Sequence, residues 1–163
     1  MIRKVDSVCS MKYLLSLFLA SAFFTACTDT ALVDKNIPIA KHEWRYEDPV
    51  NIDVHVSEID APYRVYLNLR HTPDYRYANI FMLVHVYQPN GTDTTERIEL
   101  TLAEPDGRWL GSGAGSIYTH QQLIKDNYFF PDTGQYTFSI EQNMRENPLP
   151  EIADVGIRIE PAQ

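Results

Sequence analysis

Polar and apolar residues alternate along several stretches of the chain, and this feature constrains the fold more than any other. In 63–70 every second residue is apolar, so Tyr63, Val65, Leu67 and Leu69 share one face. A period of two is typical of a β-strand with one buried side. The chain is therefore predicted to be built from strands rather than helices.

Further segments extend this pattern. Residues 79–87 are almost continuously apolar, which is typical of a strand at the centre of a sheet or of one covered on both faces. The turn 104–107 leads into a short segment, 109–110, and together they predict a hairpin. Only 117–125 is predicted to form a short helix. The remaining predicted strands are 51–57, 95–102, 136–140 and 155–159.

Strands at this spacing, without a long helix, define the fold class. They predict an all-β protein, an antiparallel β-sandwich of two sheets packed face to face, with a jelly roll as one form of it. A closed barrel is the alternative.

The N-terminal segment has the three parts of a secretory signal. Lys12 provides the positive start, 13–24 is apolar, and small residues precede Cys27. We therefore predict a lipoprotein signal peptide over 1–26, with Met11 as an alternative start. Its apolar part is too short to span a bilayer, which needs about 20 apolar residues.

Cys27 is the predicted lipidation site. The residues 24–27, Phe-Thr-Ala-Cys, fit the pattern in which the cysteine sulfur receives a diacylglycerol before cleavage. The alternatives are a plain secretory peptide cleaved after Ala22 or Ala26, or an uncleaved anchor. Residues 27–40 are small and polar, with Pro38 among them, and are predicted to be the lipidated cysteine and a tether. A single β-sandwich domain is predicted over 41–163.

The composition of the mature chain excludes some partners. Removal of the first 26 residues leaves 137 residues with 11 basic and 21 acidic side chains. Without a basic cluster, nucleic acid is not an expected partner. Cys27 becomes the single cysteine, so no disulfide forms within the mature chain.

No catalytic or metal site is predicted. The chain has five histidines, and none has the spacing of a helix or knuckle metal site. His55 and His85 lie on predicted strands and could meet across a sheet. Gly111-Ser112-Gly113 lacks the nucleophile-elbow pattern. We expect no cofactor, no metal and no enzymatic activity.

Aromatic residues in or beside turns are the candidate interaction residues. Such rings either close the open ends of a small sandwich or contact a protein or glycan partner. These candidates are Tyr75, Tyr77, Trp109, Tyr118, Tyr128 and Phe129.

Several motifs together resemble one family. They are the lipobox ending at Cys27, His42-Glu43-Trp44, 66–71 with Tyr75 and 77–79, 130–138, 142–145, Pro148-Leu149 and 154–157. The chain resembles the GldH family of gliding-motility lipoproteins from the Bacteroidetes over nearly the whole mature sequence.

The resemblance implies a non-enzymatic cell-envelope lipoprotein, named for a requirement in surface gliding. It is expected to be lipid-anchored to a membrane, on the periplasmic face or the outer-membrane surface. Its expected role is as a structural or protein-interaction component, with other envelope or motility proteins as partners. Only Cys27 carries over as a functional residue. The alternative function is a surface carbohydrate-binding lipoprotein, whose partner would be a glycan.

Overall fold

The computed structural model describes residues 30–113 and 115–162, and within them the chain forms strands and one short 3₁₀ turn, Ala40–His42. The predicted signal peptide and Cys27 lie outside the described residues. The strands are β1 Val33–Pro38, β2 Glu43–Trp44, β3 Val50–Val56, β4 Tyr63–His71, β5 Asn79–Tyr87, β6 Asp93–Thr101, β7 Tyr118–Tyr128, β8 Gly134–Gln142, β9 Leu149–Pro150 and β10 Ile152–Pro161.

The strands form two four-stranded antiparallel sheets. Sheet one has the order β1-β10-β4-β7 and sheet two the order β3-β8-β5-β6, while β2 and β9 pair separately. The chain crosses between the two large sheets at each connection except the β5–β6 hairpin, which is a jelly-roll arrangement. The predicted sandwich is confirmed, and the described strands form two separate sheets rather than one closed sheet.

The alternation in the sequence accounts for the core. Along β3 the residues are buried and exposed in turn, and in β4 the alternating apolar residues are all buried. β5 lies between β8 and β6, which confirms its predicted central position. Its inner residues are buried and most of its outer ones are half-buried. The two inner faces together make one continuous core, which includes Ile52, Leu67, Leu69, Ile80, Met82, Tyr136, Phe138, Ile140 and Ile157.

The helix predicted over 117–125 is wrong, because all of these residues except the first belong to the edge strand β7. β7 pairs with β4 from His71↔Tyr118 to Tyr63↔Tyr128, with register shifts along the way. Most of its residues are exposed or half-buried, so it lacks a clear period of two. Pairing with a buried neighbour determines the conformation here.

The predicted hairpin after 104–107 is present as a tight turn. The amide of Gly107 donates to the carbonyl of Glu104 at 2.9 Å, and Ala103 and Trp109 form an isolated bridge. Residues 109–110 do not extend into a longer strand.

The tether predicted over 27–40 does not hold for 33–38, which form β1 along β10. The folded domain therefore starts before residue 41. Three consecutive residues of β1 are exposed, so the strand has the polar composition of a linker. Gly156 permits the close pairing, since a Cβ there would lie 2.2 Å from the carbonyl oxygen of Lys35. Arg158 and Asp34 add an ion pair of 2.6 Å across the two strands.

The sandwich has two distinct ends. We call the end where β1 begins the lower end; the connections 57–62, 88–92 and 129–133 lie there. The connections 39–49, 72–78 and 143–151 lie at the upper end, as do the described residues between β6 and β7, 102–113 and 115–117. A nine-residue strand such as β4 spans about 30 Å, so the two ends are separated by about that distance.

The core makes a first prediction. Leu67 is fully buried whereas Leu123 is 38% exposed, and removal of a buried leucine side chain leaves a cavity. We expect Leu67→Ala to lower the free energy of unfolding by about 2–5 kcal/mol, and Leu123→Ala to lower it by less than about 1 kcal/mol. Urea unfolding followed by tryptophan fluorescence measures both values. Equal losses in the two variants would contradict the strand assignment.

Candidate functional site

A buried histidine pair lies at the upper end of sheet one. His71 ends β4 and His120 lies in β7, and both side chains are almost inaccessible. Their Nε2 atoms are 3.0 Å apart, and Nδ1 of His71 lies 2.7 Å from the carbonyl oxygen of Thr72. Since a carbonyl only accepts, Nδ1 of His71 carries the proton and its Nε2 accepts from His120. The pair is therefore satisfied when both rings are neutral.

Aromatic rings surround this pair. The ring of His71 lies 4.5 Å from Trp109, 5.4 Å from Tyr75 and 5.7 Å from Tyr118, measured between centroids. Tyr77 packs edge-on against Tyr75. Four of the predicted aromatic residues are thus gathered into one cluster, and the cluster closes the upper end of the sandwich.

Burial keeps both histidines neutral. It lowers the pKa of His71, and burial together with the nearby His71 lowers the pKa of His120 to about 4. Gly111 presses against the pair, because a Cβ there would lie 2.6 Å from Nε2 of His120. Within the described residues, no three His, Cys, Asp or Glu side chains are arranged to hold a metal ion.

The other two predicted aromatic residues lie elsewhere. Tyr128 contacts Phe130 at 4.9 Å, and Phe130 is buried against Tyr63 at the lower end. Phe129 is 55% exposed there. The structure therefore divides the predicted aromatic residues between opposite ends of the sandwich.

His55 and His85 are not brought together. They lie on β3 and β5, which β8 separates. His85 contacts the hydroxyl of Thr95 at 2.8 Å and lies 3.7 Å from a carboxylate oxygen of Glu141. This arrangement gives no chemistry beyond a polar sheet face.

A cleft that the sequence did not predict lies on the outer face of sheet two, at its upper end. It encloses about 350 Å³ and is lined by Tyr77, Phe81, Arg97, Asn143, Met144 and Arg145. The sequence contains part of the information that points to this cleft. Residues 79–87 are apolar on both faces of the strand, so another part of the chain is expected to cover the outward-facing Phe81. Arg97 on the neighbouring strand β6 covers the ring, and Met144, which follows β8 and lies 63 positions after Phe81, contacts its amide.

Arg97 is held firmly at one side of the cleft. Its guanidinium lies 3.8 Å above the ring of Phe81, and its Nε donates to the side-chain oxygen of Asn143 at 2.9 Å. The amide of Asn143 in turn donates to the carbonyl of Phe81 at 2.8 Å. Strand β5 and the segment after β8 therefore fix the position of the arginine.

The sequence of the chain also places it in a known family. The sequence profile of one family, described as GldH lipoprotein, matches residues 31–159. The chain belongs to the GldH lipoprotein family. The match begins two residues before β1, in agreement with β1 as part of the domain, and the resemblance seen in the sequence is confirmed.

Two relatives carry the same family name. The chain is 33% identical over 144 residues to the gliding motility lipoprotein GldH homolog of Christiangramia forsetii, which covers 84% of this chain and 88% of the relative. It is 28% identical over 151 residues to the gliding motility lipoprotein GldH of Flavobacterium johnsoniae, covering 88% and 93% respectively. Across the described part of this GldH-family chain, no helix is long and apolar enough to cross a membrane.

The histidine pair makes stability depend on pH. The pKa of both rings is lowered in the folded state, so the unfolded state binds more protons as pH falls below about 6.5. The contribution of the pair to the free energy of unfolding is fully present above that pH and is lost as the pH falls toward 4. The pKa of His120 is lowered from 6.5 to about 4, and each unit of difference corresponds to about 1.4 kcal/mol. We therefore expect the contribution of His120 to the free energy of unfolding to approach about 3 kcal/mol.

The test compares the wild type with His120→Gln, which does not titrate but keeps an N–H donor. Urea unfolding at pH 7.5, 6.5, 5.5 and 4.5 gives the free energy of unfolding of each. The variant should be less stable at neutral pH and should lose less stability as the pH falls. Parallel pH profiles for the two proteins would contradict this account.

Proposed function

We propose that the protein is a lipid-anchored, non-enzymatic component of the cell-envelope gliding machinery, and that it acts by binding other envelope proteins. Membership of the GldH lipoprotein family carries this proposal. Both named relatives are gliding motility lipoproteins by name.

Cys27 is the proposed point of lipid attachment. Five residues separate it from Val33, the first residue of β1. A chain of this length reaches at most about 20 Å when fully extended. The lower end of the sandwich would therefore stay near the membrane surface, while the upper end would be held away from it, about 30 Å further out.

The chemistry of the upper end supports a binding role rather than catalysis. The histidine pair is buried behind Trp109 and Tyr118, and its facing nitrogens bond to each other. A general base must reach the proton it removes, and these two side chains are almost inaccessible. The cluster therefore serves as a rigid closure of the sandwich.

Glycan binding gains no support from Phe81, Tyr75 or Tyr77. A sugar stacks on an open aromatic face, but the face of Phe81 is covered by Arg97. The ring of Tyr75 is buried, and Tyr77 uses its hydroxyl to donate to Glu146 at 2.8 Å. Protein contact is thus the function we propose for the upper end.

The anchor and the role are tested together in the host bacterium. We expect a deletion strain to lose gliding, the wild-type gene to restore it, and Cys27→Ser to fail to restore it. The variant protein should fold normally but leave the membrane fraction, because it lacks the acyl chains that hold it there. Gliding assays and membrane fractionation measure these outcomes.

Cross-linking in cells tests the interaction role. With the wild-type protein tagged, mass spectrometry should recover the same envelope proteins in repeated experiments. Ser57→Cys is the matched control for Cys27→Ser. It makes the reverse exchange at an exposed residue and leaves the anchor at Cys27 intact. Normal gliding in the deletion strain, or a membrane-bound Cys27→Ser protein, would contradict the proposal.

A further inference from the structure

We propose that the cleft on sheet two is a binding site for an acidic peptide segment of a partner protein. This inference rests on the proposed function and names the surface that would carry it out. The site is the cleft defined by Tyr77, Phe81, Arg97, Asn143, Met144 and Arg145.

The cleft carries two positive charges. Two guanidinium groups line it, those of Arg97 and Arg145, and neither lies within 4.0 Å of a carboxylate oxygen in the part of the chain that the structure describes. The chain as a whole has a net charge of −8, so acidic side chains are plentiful, yet the acidic side chain next to the cleft, Glu146, pairs with Arg76 and Tyr77 rather than with these two arginines. Guanidinium groups bind carboxylates through paired hydrogen bonds.

Neighbouring arginines show the contrast. Just outside the cleft, Arg76 pairs with Glu146 at 3.0 Å. On sheet one, Arg70 pairs with Asp154 and Arg158 with Asp34. The two arginines of the cleft are therefore available to an incoming carboxylate, whereas these others already have an acidic partner.

The walls of the cleft are rigid before any ligand arrives. Gln142 is almost completely buried, and its side chain accepts from the amide of Met144 at 2.8 Å and donates to the carbonyl of Glu146 at 2.9 Å. The hydroxyl of Tyr46 donates to the carbonyl of Met144 from the other side. A site that is ordered in advance loses less entropy on binding.

The remaining lining favours a peptide over a sugar. Met144 contributes a flexible thioether side chain, which adapts to apolar groups of different shapes. Its sulfur lies 3.3 Å from the amide of Phe81, which holds it at the wall. An acidic segment with a leucine or phenylalanine beside the acid matches both features of the site. A sugar would need an open ring face, which Phe81 does not offer because Arg97 covers it.

The test uses the full mature lipoprotein in detergent micelles and three fluorescein-labelled probes. The first is the capped peptide Leu-Glu-Phe-Asp-Leu-Glu, the second is Leu-Lys-Phe-Lys-Leu-Lys, and the third is an oligogalacturonate, an acidic sugar. Fluorescence anisotropy at low and high salt measures binding. We expect saturable binding of the acidic peptide alone, weakened by salt because the contacts are ionic.

Charge reversal locates the site. We expect Arg145→Glu to weaken binding of the acidic peptide about tenfold or more, and Arg97→Gln to weaken it by a similar factor. The control Arg64→Glu makes the same change of charge at the lower end and should alter the affinity by less than about twofold. Thermal unfolding of each variant checks that it is folded. If Arg97→Gln unfolds, Arg97→Lys takes its place; it keeps the charge but lacks the paired donors of the guanidinium, so it should weaken binding by a smaller factor than Arg145→Glu.

Several outcomes would overturn the inference. They are equal binding of the acidic and basic peptides, binding of the acidic sugar in preference to the peptide, no binding at all, or an unchanged affinity in Arg145→Glu. Failure here is distinguishable from failure of the proposed function. Cross-linked envelope partners and loss of gliding on deletion would stand if the contact lay on another face, whereas normal gliding on deletion would remove the role without affecting peptide binding.

Discussion

The antiparallel pairing of β1 with β10 is the interaction on which the rest of the arrangement depends. It runs in register from Val33↔Ile159 to Pro38↔Asp154 and completes sheet one. Because this pairing places Val33 at the lower end, it determines which end of the sandwich lies near the proposed lipid at Cys27. Gly156 is necessary for it, since any side chain there would collide with the backbone of β1.

Packed aromatic rings close both ends of the sandwich, but only the closure at the upper end depends on pH. At the lower end Phe130 packs between Tyr63 and Tyr136. At the upper end the rings enclose two titratable side chains, so packing there depends on pH as well as on shape. Edge-to-face and stacked ring pairs each contribute about 0.5–1.5 kcal/mol beyond the area that they bury. Tyr77 packs against this cluster and also lines the neighbouring cleft, so the two features share a wall.

Much of the fold followed from the sequence, because a strand with one buried face leaves an alternating pattern, as in β3 and β4. The edge strands β1 and β7 were missed because few of their side chains are buried, so their pairing partners determine their conformation. Closure of the open ends of the sandwich was one of the two roles predicted for the aromatic residues in or beside turns. The histidine pair was not found, since 49 positions separate its members. The cleft joins the β5–β6 hairpin to the segment that follows β8, and Asn143 lies 46 positions beyond Arg97, so no local pattern records that juxtaposition.

The central claim is that the lower end faces the membrane and the upper end is held away from it. Ser57 and Ser116 are exposed residues in a lower-end and an upper-end connection, respectively. In the lipidated protein, Ser57→Cys and Ser116→Cys each add one site for a fluorescent label. Energy transfer from each label to acceptors on the vesicle surface then reports its distance. The account predicts strong transfer from position 57 and weak transfer from position 116, a difference of up to about 30 Å. Equal transfer, or the reverse order, would contradict it.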